Sequence, residues 1–157
     1  MIMVRPAVAG DGPFLLVTTR ELGSSHGWGK AMTATAQKLE DALFCADPIV
    51  GALIAEVEGK PAGSALWHRS FSTSRGEEAM YLEDLVVLPE FRRMGVADVL
   101  MKSVAKLAVS RGYSKIFWLV MGWNTGAQVL YSKLGAQIED GNCYCSLHDQ
   151  ALLDLAR

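Results

Sequence analysis

The chain has 157 residues, of which 50% are hydrophobic and 20% are charged, and its formal net charge is -2 at pH 7. This length suits one domain around a single core, and the composition is that of a globular protein. No apolar run approaches the roughly 20 residues of a membrane helix, and no block of like charges supplies the basic surface that nucleic acid binding needs. We therefore expect a single domain over residues 1–157, with neither a membrane nor a nucleic acid as partner.

The N-terminus and the cysteines bear on the cell compartment. Residues 1–6 contain no basic stretch followed by an apolar core, so we expect no secretory signal and a cytoplasmic location. Cys45, Cys143 and Cys145 are odd in number and lack CxxC spacing, which favours structural thiols. The alternative is a metal site formed by the last two cysteines with His148, but His148 has the opposite strand parity and a fourth ligand is missing. We expect no metal.

The first third of the chain predicts a strand followed by two helices. Residues 2–5 have the pattern of a short strand, and Asp11 can cap a helix that runs to about residue 22. Residues 23–29 then break this helix. Apolar residues at near-helical spacing predict a second helix over about residues 32–44.

Three apolar runs predict the centre of a sheet. Residues 49–57 and 62–68 are joined by Glu58-Gly59-Lys60-Pro61, which has the composition of a hairpin turn, so these two strands should pair antiparallel. After a polar loop, residues 79–88 form a third apolar run that Pro89 ends. This run is the best candidate for the central strand.

The last third of the chain predicts two more helices and two more strands. Apolar residues recur every three or four positions over residues 97–108, which indicates a strongly amphipathic helix that ends near Gly112. Residues 115–120 form a strand, a shorter helix covers residues 127–134, and residues 142–147 alternate as a final strand. The fold class is therefore α/β or α+β with one mixed sheet.

The segment between the central strand and the amphipathic helix is Arg92-Arg93-Met94-Gly95-Val96-Ala97. A glycine in such a turn lets the backbone approach a ligand closely. The start of the helix adds unpaired N–H groups and a partial positive charge, and together these suit a diphosphate. The alternative is an ordinary connection from strand to helix with solvated arginines.

The pattern R-x-x-G-x-A after a strand that ends in V-V-x-P resembles the acetyl-CoA signature of the GCN5-related N-acetyltransferases, the GNAT family. Two further segments, Tyr81-Leu82-Glu83-Asp84 and Trp123-Asn124 with the following residues 131–136, resemble the diamine and polyamine acetyltransferases of that family. The resemblance runs without gaps from about residue 80 to residue 136. It implies a mixed sheet of about seven strands, splayed in the middle, with helices on both faces. It also implies a homodimer in which residues 143–147 contact the partner.

The resemblance further implies which residues hold acetyl-CoA. Backbone groups of the central strand would bind the pantetheine arm, and amides of the glycine turn would bind the diphosphate. The implied cofactor-binding residues are Leu85, Val86, Val87, Arg92, Arg93, Met94, Gly95, Val96, Ala97, Asp98 and Asn124. A plain core strand is the alternative for residues 85–87, and a helix cap is the alternative for Asn124.

Two residues match catalytic positions of the family. Tyr131 matches a tyrosine near the thioester sulfur, and Glu83 matches a residue that binds the amine and can relay its proton. The alternatives are a core tyrosine and a structural carboxylate paired with an arginine. Because the reference pKa of tyrosine, near 10, exceeds that of a thiol, near 8.5, full proton transfer to the leaving thiolate is uphill by about 2 kcal/mol. Tyr131 therefore needs a lowered pKa or acts by hydrogen bonding.

The implied activity is transfer of the acetyl group of acetyl-CoA to a primary amine of a small molecule by direct attack on the thioester, without a metal. The amine could belong to a diamine, a polyamine or an amino-acid-like molecule. Residues 23–30 and 70–76 contain no carboxylate, so a short amine fits at least as well as a long polycation. His26, Trp28 and Arg75 are candidate substrate-binding residues.

Other functions stay open at this point. Acetylation of protein lysines or N-termini would use the same chemistry. A catalytically silent module that binds acyl-CoA would share the cofactor motif. The absence of a GxxxxGK[ST] pattern argues against a nucleotide-binding domain.

Overall fold

The computed structural model describes residues 1–139, which fall into two compact units. The first unit is Met1–Leu119 and the second begins at Val120. A single domain over residues 1–157 stays a prediction. Among residues 1–139, no helix combines the length and the apolar character needed to span a bilayer.

The first unit is a mixed five-stranded sheet with three helices. In chain order its elements are β1 (Ile2–Pro6), α1 (Gly12–His26), α2 (Ala36–Leu43), β2 (Val50–Val57), β3 (Lys60–Ser72), β4 (Glu77–Val87), α3 (Val96–Ser110) and β5 (Ile116–Phe117). The strands lie in the order β1-β2-β3-β4-β5, and every pair is antiparallel except β4 with β5. The mixed sheet is confirmed. The described part of the chain contains five strands rather than about seven, and the strand predicted at residues 142–147 lies outside it.

Helices cover both faces of this sheet, as the family resemblance implies. On one face Leu15 of α1 and Leu43 of α2 join Ala52 and Ile54 of β2 in a buried cluster. The opposite face is covered by α3, whose apolar positions are buried. These positions are Val96, Leu100, Met101, Val104 and Ala108. A fully buried aliphatic side chain contributes about 1.5–3 kcal/mol to the free energy of unfolding. The two buried clusters therefore hold α1 and α3 on opposite faces of the sheet.

The first helix continues past the predicted break. α1 runs through Gly23 to His26 and ends at Gly27, which has φ 81°. Gly23 is buried, and a β carbon there would lie 2.8 Å from the sulfur of Met32 and 3.0 Å from the Trp28 ring. Gly23 therefore gives room for packing, and the prediction that residues 23–29 break the helix was wrong over its first four residues.

Asp11 precedes α1 as expected, but its side chain does not cap the helix. Its carboxylate accepts hydrogen bonds from Arg5 Nη1 and from the Val8 N–H, both at 2.7 Å. The Arg5 hydrogen bond lowers the pKa of Asp11, although burial opposes this change. The Gly12 N–H instead donates to Glu40 Oε1 of α2 at 2.6 Å. The Glu40 carboxylate, distant in sequence, thus accepts the hydrogen bond from the first N–H group of α1 that Asp11 does not accept.

Three elements differ in length from the sequence-based expectation. α2 begins only at Ala36, because the Thr35 hydroxyl accepts the Lys38 N–H at 3.2 Å and so caps the helix there. β3 extends to Ser72, since its polar outer half still pairs with β4. β5 contains only two residues, whereas residues 115–120 were expected to be a strand.

β4 contains a bulge at Glu83. Leu66 of β3 pairs with Asp84 and Trp67 pairs with Leu82, so Glu83 has no register partner in β3. Paired residues share a face of the sheet. Leu82 therefore shares the face of Trp67, which contacts α3, and Asp84 shares the face of Leu66, which packs on the α1 and α2 cluster.

The cysteine predictions are only partly covered by the structure. Cys45 is an exposed free thiol that follows α2. Cys143, Cys145 and His148 lie outside the described residues. Within residues 1–139, no group of three or more His, Cys, Asp or Glu side chains could hold a metal ion.

Candidate active site

Strand β4 has an open edge where it parts from β5. Their pairing is limited to Met80 with Ile116 and Tyr81 with Phe117. Within the described residues, no strand pairs with residues 82–87 on that side. The splayed sheet implied by the family resemblance is thus present in the first unit.

The backbone of the open edge is directed by the pairing on the other side of β4. The Leu88 N–H donates to the Ala62 carbonyl at 2.9 Å, and alternation along the strand then turns the amide groups of Leu85 and Val87 toward the open edge. In agreement, the Val87 carbonyl accepts a hydrogen bond from Arg92 Nε at 3.2 Å. An extended chain that carries amide groups can pair with such an edge as an added strand would.

The turn from β4 to α3 contains two residues with left-handed backbone. Arg93 has φ 63° and Gly95 has φ 85°. A β carbon at Gly95 would meet no atom within 4 Å, so this glycine is required by its conformation and leaves open space in front of the turn. α3 begins at Val96 with no side chain capping its first N–H groups. These groups and the helix dipole form a site that suits a phosphate.

Two charged side chains at this turn have partners in the protein, whereas the exposed Arg93 has no ion-pair partner among residues 1–139. Arg92 Nη2 lies 2.7 Å from Glu21 Oε1 of α1, so Arg92 ties the turn to that helix. The Asp98 carboxylate lies 2.6 Å from Lys102 Nζ, one turn further along α3. The groups of this turn that suit an anion are therefore the backbone amides and the Arg93 guanidinium.

Asp84 lies beside α1 on the inner side of the sheet. Burial raises the pKa of its carboxyl group to about 6, and the neighbouring Glu83 charge adds to this rise. The charge of His26 and a hydrogen bond from the side chain of Thr19 act in the opposite direction. A carboxyl group with a pKa near neutrality can accept a proton and release it again in the physiological range.

Glu83 occupies a different environment from Asp84. Its side chain is 59% exposed, and Oε2 lies 3.6 Å from His68 Nε2. His68 Nδ1 lies 3.0 Å from the Arg69 carbonyl, which can only accept, so Nδ1 carries a proton. The His68 ring stacks on Tyr81 with 4.9 Å between ring centroids, and this contact fixes the imidazole beside Glu83. The two side chains attract each other when His68 is doubly protonated.

The three substrate-binding candidates from the sequence do not share one place. His26 lies near Asp84 at the end of α1, where its Nδ1 is 2.9 Å from the Leu22 carbonyl. Trp28 packs over Gly23 and remains 39% exposed. Arg75 lies in the β3–β4 hairpin, 3.9 Å from Glu77. Six residues of extended chain separate Glu77 from Glu83, about 20 Å, so Arg75 is not beside the two carboxyl groups.

The second unit contains α4 (Thr125–Lys133), which carries the predicted tyrosine. Asn124 caps this helix, since its side-chain oxygen accepts the Ala127 N–H at 3.2 Å. Tyr131 is 8% exposed, and burial raises the pKa of its hydroxyl group. A raised pKa makes proton transfer to a thiolate more costly, so it favours the hydrogen-bonding role over full transfer.

Sequence reasoning did not single out Thr19 or His68, and it preferred Glu83 to Asp84. Thr19 approaches Asp84 only because α1 packs on β4, which no local pattern shows. His68 could have been found from the hairpin, since antiparallel pairing places it opposite Tyr81. The environment of Asp84 depends on the bulge, which has no distinct signal in the sequence.

Comparison with known proteins gives the family. The family model described as the acetyltransferase (GNAT) family matches residues 21–136. Thialysine N-epsilon-acetyltransferase of Bos taurus is 31% identical over 99% of this chain and 97% of its own length. Spermidine/spermine N(1)-acetyltransferase-like protein 1 of Homo sapiens is 29% identical over 98% of this chain and 23% of its own. An integron cassette protein from the mobile metagenome of V. cholerae has a similar structure, with a TM-score of 0.79 and 24% identity over 99% of this chain and 98% of that one. The open β4 edge, the glycine turn before α3 and these likenesses agree, and the chain belongs to the acetyltransferase (GNAT) family.

Proposed function

We propose that this enzyme transfers the acetyl group of acetyl-CoA to a primary amine of a small molecule by direct attack of the amine on the thioester. The observation that carries the proposal is the open edge of β4, which leads through Gly95 into the uncapped start of α3. The edge offers amide groups to a pantetheine arm, and the helix start offers N–H groups to a diphosphate. The cofactor would thus be held by residues 85–87 and 92–98, which the family resemblance implies.

The amine substrate is proposed from the chemistry beside β4 and from the relatives. Curated relatives of this chain are named for thialysine and for spermidine/spermine, which supports a small amine. Glu83, exposed beside His68, can attract an ammonium group, and Asp84 has a pKa suited to removing its proton. Because residues 23–30 and 70–76 contain no carboxylate, we favour a diamine or an amino-acid-like amine over a long polycation.

The proposal is tested by measuring release of free CoA thiol from acetyl-CoA with a panel of diamines, polyamines, basic amino acids and lysine peptides. We expect turnover with at least one small amine and a product heavier by one acetyl group in the mass spectrum. Turnover restricted to peptides would replace the small amine by a protein substrate. Binding of acetyl-CoA without turnover on any amine would leave a silent acyl-CoA-binding module.

Replacing Gly95 by Val should abolish most of the thermal stabilisation that acetyl-CoA gives to the parent. Val strongly disfavours the φ of 85°, and its side chain would enter the open space before the start of α3. Bound ligand raises the melting temperature by mass action, so the shift reports binding. Gly76→Val is the matched control, because Gly76 also has a positive φ of 69° and open surroundings but lies in the distant hairpin. Equal acetyl-CoA shifts in the two variants would contradict the proposed phosphate site.

We also propose that the enzyme is a cytoplasmic homodimer. The apolar segment at residues 143–147 is expected to contact the partner, and it lies outside the described residues. Light scattering at micromolar concentration should then give about twice the chain mass of 17.0 kDa. A monomer mass at that concentration would contradict the proposal.

A further inference from the structure

A cleft of about 190 Å³ opens at the edge of the sheet where β1 ends, between α2 and the C-terminal end of α3. Its walls include the apolar side chains of Leu43, Phe44, Val50, Leu53 and Leu107. A dry cavity of about 150 Å³ is large enough to hold benzene, so the cleft has room for a compact apolar body. None of the residues proposed for acetyl transfer lines it.

Trp67 brings an unpaired donor to this cleft. Its side chain is 4% exposed, and among the described residues Nε1 has no hydrogen-bond acceptor. The indole lies across Gly51, where a β carbon would collide with ring atoms and would be 3.0 Å from Nε1. Gly51 also lines the cleft. A buried N–H group without an acceptor costs about 1–3 kcal/mol, so an acceptor that reaches Nε1 when the indole turns toward the cleft would remove a penalty in the free protein.

Arg111 brings a positive charge to the same place. Its guanidinium carbon lies 4.4 Å from the centroid of the Trp67 ring. Within residues 1–139, no carboxylate lies within salt-bridge distance of Arg111, and every other residue that lines the cleft is uncharged. The guanidinium is planar and can donate two parallel hydrogen bonds to a carboxylate. The stacking on Trp67 holds this donor beside the apolar walls.

We infer that this cleft binds a small organic carboxylate with an apolar body, aromatic or branched aliphatic. The carboxylate would accept hydrogen bonds from Arg111 and from Trp67 Nε1, and the body would pack between Leu107 and the residues of α2 and β2. The charge of the lining set is complementary to an anion and not to an amine. The site is therefore distinct from the one proposed for the substrate of acetyl transfer.

The test is an NMR titration of the free enzyme with benzoate, observed at the indole N–H resonance of Trp67, which Trp67→Phe assigns. We expect benzoate to shift this resonance downfield, and benzamide, which has the same shape without the charge, to bind at least about tenfold more weakly. Arg111→Gln should weaken benzoate binding by about tenfold or more, because a charge-assisted hydrogen bond is lost. Lys106→Gln removes a charge from the same helix outside the cleft and should bind benzoate like the parent.

Three results would overturn the inference: an indole resonance that benzoate leaves unchanged, equal affinity for benzamide, or unchanged benzoate affinity in Arg111→Gln. Because Arg111 is exposed, its replacement should lower the melting temperature by only a few degrees through loss of the contact with Trp67, and this measurement separates a loss of binding from a loss of folding. The titration contains neither acetyl-CoA nor an amine. Its outcome is therefore independent of the proposed acetyl transfer.

Discussion

Tyr131→Phe is expected to retain acetyl-CoA binding and to lose about 10²- to 10⁴-fold in kcat. The proposed role of the Tyr131 hydroxyl is to donate a hydrogen bond to the sulfur as CoA leaves. Negative charge develops on that sulfur only in the transition state, so the loss should appear in kcat and not in the affinity for acetyl-CoA. Because burial raises the pKa of Tyr131, the hydroxyl stays protonated at neutral and mildly alkaline pH, and its contribution should not decline there.

The matched control for this variant is Tyr113→Phe. Tyr113 is also buried, at 7% exposure, and it is not part of the proposed machinery. The Tyr113→Phe variant also removes a hydroxyl from a buried tyrosine, so its activity shows how much of any loss arises from packing alone. If folded Tyr131→Phe, saturated with acetyl-CoA, turns over its best amine as fast as Tyr113→Phe does, another group or water stabilises the leaving thiolate.

Asp84→Asn should lower kcat/KM by about 10²- to 10⁴-fold and remove the acidic limb of the pH profile. In the parent, the carboxylate form needed to accept a proton increases as pH rises through about 6, so kcat/KM should rise across the same range.

Glu83→Gln keeps the shape of the side chain and removes only the exposed charge. It should mainly raise KM for the amine, with partial rescue in alkaline buffer, where more of the amine is already unprotonated.

Each of the two carboxyl variants is the control for the other. The dependence of kcat/KM on pH distinguishes the residue that accepts the proton from the residue that only attracts the ammonium group. If Glu83→Gln removes the limb near pH 6 and Asp84→Asn keeps it, proton acceptance belongs to Glu83, as the sequence alone suggests. If both variants keep the limb and lose less than tenfold, neither carboxyl group acts on the proton.

The stability of Asp84→Asn gives the same assignment an independent readout. The pKa of Asp84 is raised from 3.8 to about 6, so folding favours its protonated form. That stabilisation is complete below pH 3.8 and is lost as pH rises through about 6, which leaves a buried charge that destabilises the fold at pH 7. Asp84→Asn should therefore gain melting temperature over the parent at pH 7 and lose this gain near pH 4. The buried Asp84 carboxylate thus lowers the free energy of unfolding at pH 7.

The glycine turn could be predicted from the sequence because all its requirements are local. Within ten residues the chain ends β4 at Val87, takes a left-handed φ at Gly95 and begins α3. The approximate positions of the helices and of the first four strands were also predictable, since alternation and helical spacing report burial along each element. The same reasoning explains why the hairpin after Val57 was predicted correctly.

Features that depend on distant contacts could not be predicted. Gly23 looked like a helix breaker because its role, room for the Trp28 ring, exists only once the chain has folded back. Asp11 looked like a helix cap, but Arg5 binds its carboxylate and Glu40 takes its place. The raised pKa of Asp84 likewise arises from burial against α1, which is more than fifty residues earlier in the chain.

The bulge at Glu83 acts as a change of phase within one strand. Before it, even-numbered positions such as Met80 and Leu82 belong to the α3 side, and after it the even-numbered Asp84 belongs to the α1 side. In a regular strand, residues two apart lie on the same face of the sheet. Without the bulge, Asp84 would therefore share the α3 face with Leu82 and would not face α1. Gain or loss of one residue here would move the side chains on one side of the bulge to the opposite face of the sheet, so a one-residue change in the length of β4 would place apolar side chains and Asp84 in the wrong layers.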